Sequence, residues 1–171
     1  MPFFYLTCLV AALDQWLKMI VQTRLTPFQD LRLLNGLLSI TYVKNPGAAF
    51  SLFQSQTLLL ILISMGVFIV VWFNRRQLAT SPRILQIGLA IALGGALGNF
   101  IDRIRLGYVV DFVDLHFWPV FNVADAGIFV GVGLTILGLL RYKTMEHTKS
   151  EQNSVESANF ATQPDSKEEG L

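Results

Sequence analysis

Four aspartates are concentrated in a stretch of 24 residues that connects two apolar segments. They are Asp102, Asp111, Asp114 and Asp125, and they account for most of the six aspartates in the first 145 residues, which contain no glutamate. Two carboxyl groups held close together cannot both ionise easily, so they share a proton. The ionised member can then deprotonate water while the protonated member donates to a scissile carbonyl oxygen. The aspartates therefore indicate peptide hydrolysis without a metal or a covalent intermediate.

Amide side chains accompany two of these aspartates at helical spacing. Asn99 precedes Asp102 by three residues, and Asn122 precedes Asp125 by three. Residues three apart on a helix share a face, so each amide can hydrogen-bond to its aspartate and orient it. Arg103 follows Asp102 directly and offers it a charge partner. The alternative interpretation is a polar helix end whose groups satisfy one another.

Other residue types that could carry chemistry are scarce. The two histidines, His116 and His147, do not form a two-histidine zinc motif such as HExxH. Ser64 lies deep in an apolar run that contains no Lys or His to activate it. The single cysteine, Cys8, is expected to be a packing residue. We therefore expect no metal and no cofactor, and the net charge of +1 gives no indication of nucleic-acid binding.

The elements that position the aspartates belong to a membrane protein, because 53% of the residues are hydrophobic and only 15% are charged. A helix needs about 20 mainly apolar residues to cross a bilayer. Four runs qualify, at residues 3–21, 57–73, 84–101 and 121–140. The first run lacks a basic n-region and an A-x-A cleavage site, which favours a retained helix over a cleaved signal peptide. The predicted fold is an all-α membrane protein with four transmembrane helices.

Basic residues in the short connections predict the orientation of these helices. The turn between the second and third runs contains Arg75, Arg76 and Arg83. The segment after the fourth run contains Arg141, Lys143 and Lys149. Connections rich in Lys and Arg stay in the cytoplasm. Both termini are therefore predicted to be cytoplasmic, and the aspartate-rich connection shares the outer face with Asp14, Asp125 and the first connection.

The first connection contains a strand signal. Residues 37–43 (LLSITYV) are rich in β-branched and aromatic side chains, and a turn signal, Asn45-Pro46-Gly47, follows them. We expect a small extracytoplasmic β-cradle within about residues 24–55. Residues 1–143 would then form one membrane domain, and the polar residues 144–171 a disordered cytoplasmic tail.

Two glycine pairs predict close helix packing. Gly94 and Gly98 lie in the third run, and Gly127 and Gly131 lie in the fourth. Small residues at this spacing let helix backbones approach closely in lipid. Close contact between the third and fourth helices would bring the carboxylates at their outer ends together.

Five short blocks of the sequence occur together in an order that is specific to one protein family. They are Asp14-Gln15-x-x-Lys18, Asn45-x-Gly47-Ala48-Ala49-Phe50, Gly94-Gly95-Ala96-x-Gly98-Asn99-x-x-Asp102-Arg103, Gly107-x-Val109-Val110-Asp111-Phe112 and Phe121-Asn122-x-Ala124-Asp125. With these blocks, which cover roughly residues 1–143, the sequence resembles the bacterial lipoprotein signal peptidases (signal peptidase II).

The resemblance implies an aspartyl endopeptidase of the bacterial inner membrane, with its active site at the outer face. Its expected partners are membrane lipid and prolipoproteins whose cysteine already carries diacylglycerol. Cleavage would fall just before that cysteine. We expect a monomer that binds no nucleic acid.

The resemblance also implies a role for individual residues. Asp111 and Asp125 would be the catalytic dyad. The residues that would shape and orient it are Asn99, Asp102, Arg103 and Asn122. Those that would line the substrate and lipid region are Asp14, Gln15, Lys18, Asn45 and Gly47. Asp102 is the main rival for a catalytic place, but the apolar neighbours of Asp111 would help to raise a carboxyl pKa.

Two other classes of function stay open at this point. One is a small transporter whose aspartates relay protons or cations, and the other is an assembly subunit whose aspartates bind a basic partner. A conduction path should place polar residues near the middle of the bilayer, whereas these gather at one face.

Overall fold

The computed structural model describes residues 2–47 and 57–161. In chain order the elements are α1 (Pro2–Arg24), β1 (Asp30–Leu33), β2 (Leu38–Asn45), α2 (Thr57–Phe73), α3 (Arg75–Thr80), α4 (Arg83–Leu106), β3 (Val109–Asp114) and α5 (Val123–Ala161). The protein is therefore mostly helical, with one small sheet.

Three of the described helices are long and apolar enough to cross a membrane. These segments are Phe3–Arg24 of α1, Arg83–Leu106 of α4 and Val123–Tyr142 of α5. The helix α2 is apolar but only 17 residues long. A membrane protein built on apolar helices is thus confirmed, and the number of four spans stays a prediction.

Glycines let α4 pack closely against both α1 and α5. A Cβ atom on Gly94 would lie 2.6 Å from the Val10 Cβ of α1, and one on Gly88 would lie 2.8 Å from the Gly131 carbonyl oxygen of α5. Gly127 has ordinary spacing, with its nearest neighbour at 3.6 Å. The predicted close contact between the third and fourth apolar runs is present, because Gly131 of α5 lies against Ala92 and Gly88 of α4. Gly94 and Gly98 of α4 accommodate α1, because a small residue serves whichever helix lies beside it.

The three strands form an antiparallel sheet in the order β1-β2-β3. β2 lies where a strand was predicted, whereas residues 48–55 of the predicted cradle lie outside the described residues. β3 corrects the description of Asp111 as a loop residue, since Asp111 pairs with Val43 of β2. The β-branched and aromatic neighbours Val109, Val110 and Phe112 favour a strand here.

A glycine and a small apolar core bring β3 back to the helices. Gly107 ends α4 with a left-handed φ of 79°, and its N–H donates to the Arg103 carbonyl (3.1 Å). The core then joins α1 to the sheet through Val21, Tyr42, Val110 and Phe112. Asp111 is therefore carried on a strand that is anchored on α1.

Two segments outside the predicted membrane spans contain more helix than expected. The turn between the second and third apolar runs contains α3. The predicted disordered tail is helical as far as Ala161, because α5 runs without interruption through residues 144–161. Extending an existing helix costs much less than starting one, and no Pro or Gly occurs between residues 139 and 161 to stop it.

Candidate active site

Asp125 lies in the first turn of α5, and Asn122 caps that helix. Asn122 Oδ1 accepts a hydrogen bond from the Asp125 backbone N–H (2.9 Å), and Asp125 Oδ2 accepts one from the Asn122 backbone N–H (3.2 Å). This reciprocal pair is a capping box, which satisfies two backbone donors that a helix otherwise leaves free. The positive end of the helix dipole also lies at this position. Both effects stabilise a carboxylate at residue 125.

Asp111 receives a hydrogen bond from the neighbouring strand. Asn45 Nδ2 donates to Asp111 Oδ2 (2.8 Å), and the Gly47 backbone N–H donates to Asn45 Oδ1 (2.9 Å). Because an amide has one donor end and one acceptor end, the Gly47 contact turns the donor end of Asn45 toward Asp111. Asn45 and Gly47 were expected in the substrate region; the structure places Asn45 against the carboxyl group of Asp111 and Gly47 against the side chain of Asn45.

One residue connects the two aspartates. Asn122 Nδ2 donates to Asp111 Oδ1 (2.6 Å), while the backbone N–H of the same residue donates to Asp125. Burial and the neighbouring Asp125 carboxylate raise the pKa of Asp111 from its ordinary 3.8 to about 7, against the opposing hydrogen bonds from Asn45 and Asn122. A carboxyl group that keeps its proton near neutral pH beside a second carboxylate is suited to acid–base hydrolysis.

Asn99 and Arg103 approach the dyad from α4. Asn99 Nδ2 donates to Asp125 Oδ1 (2.7 Å), and Asn99 Oδ1 accepts from Asn122 Nδ2 (3.2 Å). The Arg103 guanidinium donates to the backbone carbonyl oxygen of Asn99 (3.4 Å). It also interacts electrostatically with the carboxyl groups of Asp125 and Asp111. The predicted pairing of Asn99 with Asp102 is therefore replaced by a contact between helices, since Asn99 binds Asp125 of α5. The predicted pairing of Asn122 with Asp125 is present as the capping box.

Asp102 is paired with a buried lysine. Lys18 Nζ lies 2.9 Å from Asp102 Oδ2 and 2.8 Å from Asp14 Oδ2. Asp102 also accepts from the Val110 backbone N–H (3.1 Å) and from Gln15 Nε2 (2.8 Å). The expectation that Arg103 is its charge partner is thus wrong, because Lys18 reaches it from α1. An aspartate already held by a cation is poorly suited to share a proton, which argues against Asp102 as a catalytic rival.

Asp14, Lys18 and Asp102 form an ion triad that connects the ends of α1, α4 and α5. Asp14 Oδ1 accepts a hydrogen bond from the Ala124 backbone N–H of α5 (2.9 Å). The side chains of Asp14, Lys18 and Asp102 are only 0%, 1% and 2% exposed. The expectation that Asp14 and Lys18 line the substrate region is therefore corrected, since neither presents surface to a substrate. Gln15 is half-buried and donates to the Gly98 carbonyl as well as to Asp102.

Hydrogen-bond donors surround the carboxyl groups of Asp111 and Asp125. Within the described residues, no group of three His, Cys, Asp or Glu side chains is placed to hold a metal ion. Each carboxyl oxygen of Asp111 and Asp125 accepts a hydrogen bond from an N–H donor. Metal-free chemistry stays a prediction that this geometry suits.

A serine, a histidine and an aspartate from separate parts of the sequence also meet beside the sheet. Ser39 Oγ lies 3.2 Å from His116 Nε2, and His116 Nδ1 lies 3.6 Å from Asp114 Oδ2. Ser39 is fully buried, so its hydroxyl cannot reach a substrate. Asp114 also accepts from the His116 backbone N–H (2.7 Å). We interpret these contacts as structural links between β2 and the segment after β3.

Sequence comparison identifies the relatives of this chain. A family model described as Signal peptidase (SPase) II matches residues 6–141. The lipoprotein signal peptidase of Moorella thermoacetica is 46% identical over 132 residues, which are 77% of this chain and 88% of the relative. That of Halalkalibacterium halodurans is 36% identical over 158 residues, which are 90% of this chain and 100% of the relative.

The fold is similar to solved structures as well. Two structures described as bacterial membrane enzymes match with TM-scores of 0.76 and 0.73, at 30% and 31% identity. They cover 82% and 81% of this chain, and 88% and 92% of their own chains. The predicted resemblance is thus confirmed, and the transporter and assembly-subunit alternatives are set aside. The chain belongs to the signal peptidase II family of bacterial membrane proteases, which remove the signal peptides of lipoproteins.

Proposed function

We propose that this protease cleaves diacylglyceryl-modified prolipoproteins just before the lipidated cysteine, and that Asp111 and Asp125 are its catalytic dyad. The observation that carries the assignment is the position of Asn122, which donates to both carboxyl groups although they lie on β3 and α5. The other buried carboxyl groups near the site, those of Asp14 and Asp102, are bound to Lys18.

The two aspartates take different parts in the proposed reaction. Asp125, stabilised as a carboxylate by the helix end, removes a proton from water, and the water oxygen attacks the carbonyl carbon before the cysteine. Asp111 gives its proton to the carbonyl oxygen, which produces a tetrahedral diol. Asp125 then passes its proton to the departing cysteine nitrogen, and Asp111 recovers a proton from a diol hydroxyl as the new carboxyl group forms. Both aspartates end in their starting states.

Neighbouring residues hold the dyad in this arrangement. Asn45 and Asn122 orient Asp111, while Asn99 and Asn122 orient Asp125. Arg103 supplies positive charge beside both carboxyl groups. We assign Asp14, Gln15 and Asp102 to the framework that joins α1, α4 and α5.

The proposed membrane placement has four spans, both termini in the cytoplasm and the dyad at the outer face. The C-terminal ends of α1 and α4 meet the start of α5 and the sheet at one end of the bundle. Arg75, Arg76 and Arg83 lie on the connection at the opposite end of α4. Three arginines in one short connection support a cytoplasmic position for that end of the bundle. The proposed enzyme is a monomer in contact with membrane lipid.

The substrate class is tested by comparing a lipidated precursor with its unlipidated twin. We expect the detergent-purified protein to cleave the diacylglyceryl-modified precursor before its cysteine and to leave the twin intact. Mass spectrometry of the products identifies the bond. Equal cleavage of both forms would contradict the proposed requirement for the lipid.

Variants of the serine–histidine–aspartate chain should retain turnover. In Ser39→Ala and His116→Ala the dyad contacts are unchanged, because neither side chain touches Asp111 or Asp125 in the structure. We expect the initial rate of precursor cleavage to stay close to that of the unmodified enzyme. A collapse of the rate in a well-folded Ser39→Ala variant would argue for a serine nucleophile.

The pH–rate profile should have an alkaline limb near pH 7. Asp111 must carry its proton to act as the acid, and its pKa is raised to about 7 by burial and by the Asp125 charge. As the pH rises through that value Asp111 ionises, so kcat/KM should fall. Imidazoles titrate in the same range, which makes His116→Ala the control. The limb should persist in that variant, and its disappearance there would assign it to the histidine.

A further inference from the structure

Lys18 is the most deeply buried cation of the outer end of the bundle, and the proposed reaction does not yet use it. Its side chain is 1% exposed. An ammonium group has three N–H donors. Within the described residues it contacts three oxygens, Asp14 Oδ2 at 2.8 Å, Asp102 Oδ2 at 2.9 Å and Asn99 Oδ1 at 2.9 Å. The first two contacts neutralise charge, whereas the third reaches a neutral amide that binds Asp125.

The contact with Lys18 determines which end of the Asn99 amide faces the dyad. An ammonium group can only donate, so the amide oxygen of Asn99 must point toward Lys18. The Nδ2 end then points toward Asp125 and donates to Oδ1 at 2.7 Å. Reversing the amide would set N–H donors against the ammonium group and a lone pair against the Asp125 carboxylate.

A second contact favours the same orientation but less strongly. Asn99 Oδ1 also accepts from Asn122 Nδ2, at the longer distance of 3.2 Å. Hydrogen bonds from charged donors are about twice as strong as those between neutral groups. Without Lys18, the oxygen end of the Asn99 amide would be held only by the weaker Asn122 contact, and the position of its N–H₂ group would depend on the bond to Asp125 itself.

We propose that Lys18 is a positioning residue, which orients the Asn99 amide so that Asp125 receives a hydrogen bond and remains the ionised base. This inference rests on the proposed function of Asp125. It differs from a purely structural role, in which Lys18 only neutralises Asp14 and Asp102 and any neutral replacement of the triad would serve equally well.

The critical variant replaces the whole triad by uncharged residues, as Lys18→Met combined with Asp14→Asn and Asp102→Asn. Lys18→Met alone would leave two buried carboxylates without a cation, which is strongly destabilising. The triple variant avoids that problem but still frees Asn99. We expect it to fold, to cleave the lipidated precursor with kcat lowered by about 100-fold through misplacement of the base, and to leave KM nearly unchanged.

The pH profile separates orientation from simple charge effects. The charged groups around Asp125 are Asp111 on β3, Arg103 and Asp102 on α4, and Lys18 and Asp14 on α1. The triad carries a net charge of −1, and the triple variant makes it neutral. Loss of that negative charge alone would move the acidic limb of kcat to lower pH. An Asn99 donor displaced from Asp125 would disfavour the ionised form of Asp125 and move the limb to higher pH, which is the shift we expect.

A second variant tests the same contact with Lys18 in place. Asn99→Asp still accepts from Lys18 but cannot donate to Asp125. We expect the acidic limb to move to higher pH, because the donor to Asp125 is lost and the new carboxylate lies beside Asp125. Lys44→Met is the matched control, because Lys44 is an exposed lysine of β2 outside this network. Its rate and profile should equal those of the unmodified enzyme.

Two results would overturn the inference. One is a triple variant with a normal rate and an unshifted or lowered acidic limb. The other is Asn99→Asp with the profile of the unmodified enzyme, since the group that Lys18 is proposed to orient would then have no effect on Asp125. Failure of the proposed function has a different signature, since the unmodified enzyme itself would then not cleave the lipidated precursor.

Discussion

Asp125→Asn is expected to lower kcat for a lipidated precursor by about 10³-fold, the effect of losing a general base. Asparagine has nearly the same size and can still accept the hydrogen bond from Asn99 through its amide oxygen. It cannot take a proton from water. Because the polar surface of the site is retained, KM should change little.

This expectation is checked with single-turnover cleavage of the purified variant, together with binding of the precursor. Asp114→Asn is the matched control, since Asp114 contacts His116 rather than the dyad. It should turn over normally. A fully active Asp125→Asn enzyme would remove residue 125 from the catalytic pair.

Asp111→Asn is expected to lower turnover by about 10²- to 10⁴-fold, the usual contribution of a general acid. It should also lower stability, by about 1–3 kcal/mol. Both oxygens of Asp111 accept from amide donors, those of Asn45 and Asn122. An asparagine at this position sets its own N–H₂ group against one of them. Thermal unfolding measures the second effect independently of activity.

The double variant shows whether the two aspartates act as one unit. Groups that work together in a single step have strongly non-additive effects. The turnover of the double variant should therefore be only slightly lower than that of Asp125→Asn alone. Losses that multiply would mean that the two carboxyl groups serve independent steps, and a shared proton would then be the wrong description.

The candidate dyad was accessible from the sequence because its chemistry is local. Asp111 and Asp125 stand in short blocks whose residues are close along the chain, and the Asn122–Asp125 spacing is that of a capping box. The strand that carries Asp111 also left a signal in Val109-Val110 and Phe112. The carboxylate of Asp111 interrupts the apolar pattern there, so the segment does not match the pattern expected of a buried strand.

The framework could not be predicted because it depends on which helices are neighbours. The i,i+4 spacing of Asp14 and Lys18 allows an ion pair but does not show that both are buried against α4. Nothing in the spacing indicates that Asn99 binds Asp125 of another helix. Gly94 faces Val10 for the same reason, since small-residue spacing does not identify the partner helix.

The burial of the triad separates two kinds of residue in the family blocks. Asn45, Asn99 and Asn122 touch the carboxyl groups of the dyad. Asp14 and Asp102 instead form contacts between helices and expose almost no surface. We therefore expect substitutions of the second group to lower thermal stability together with activity, and substitutions of the first to lower activity more than stability.

Infrared spectroscopy of the carboxyl groups tests the central claim most directly, because the C=O stretch of a protonated carboxyl is distinct from that of a carboxylate. With ¹³C-labelled aspartate, the unmodified enzyme should show a protonated aspartate that titrates near pH 7, in line with the raised pKa of Asp111. This signal should be absent from Asp111→Asn and should titrate at lower pH in Asp125→Asn, where the neighbouring charge is gone. A signal that persists unchanged in Asp111→Asn would contradict a proton held by Asp111 beside an ionised Asp125.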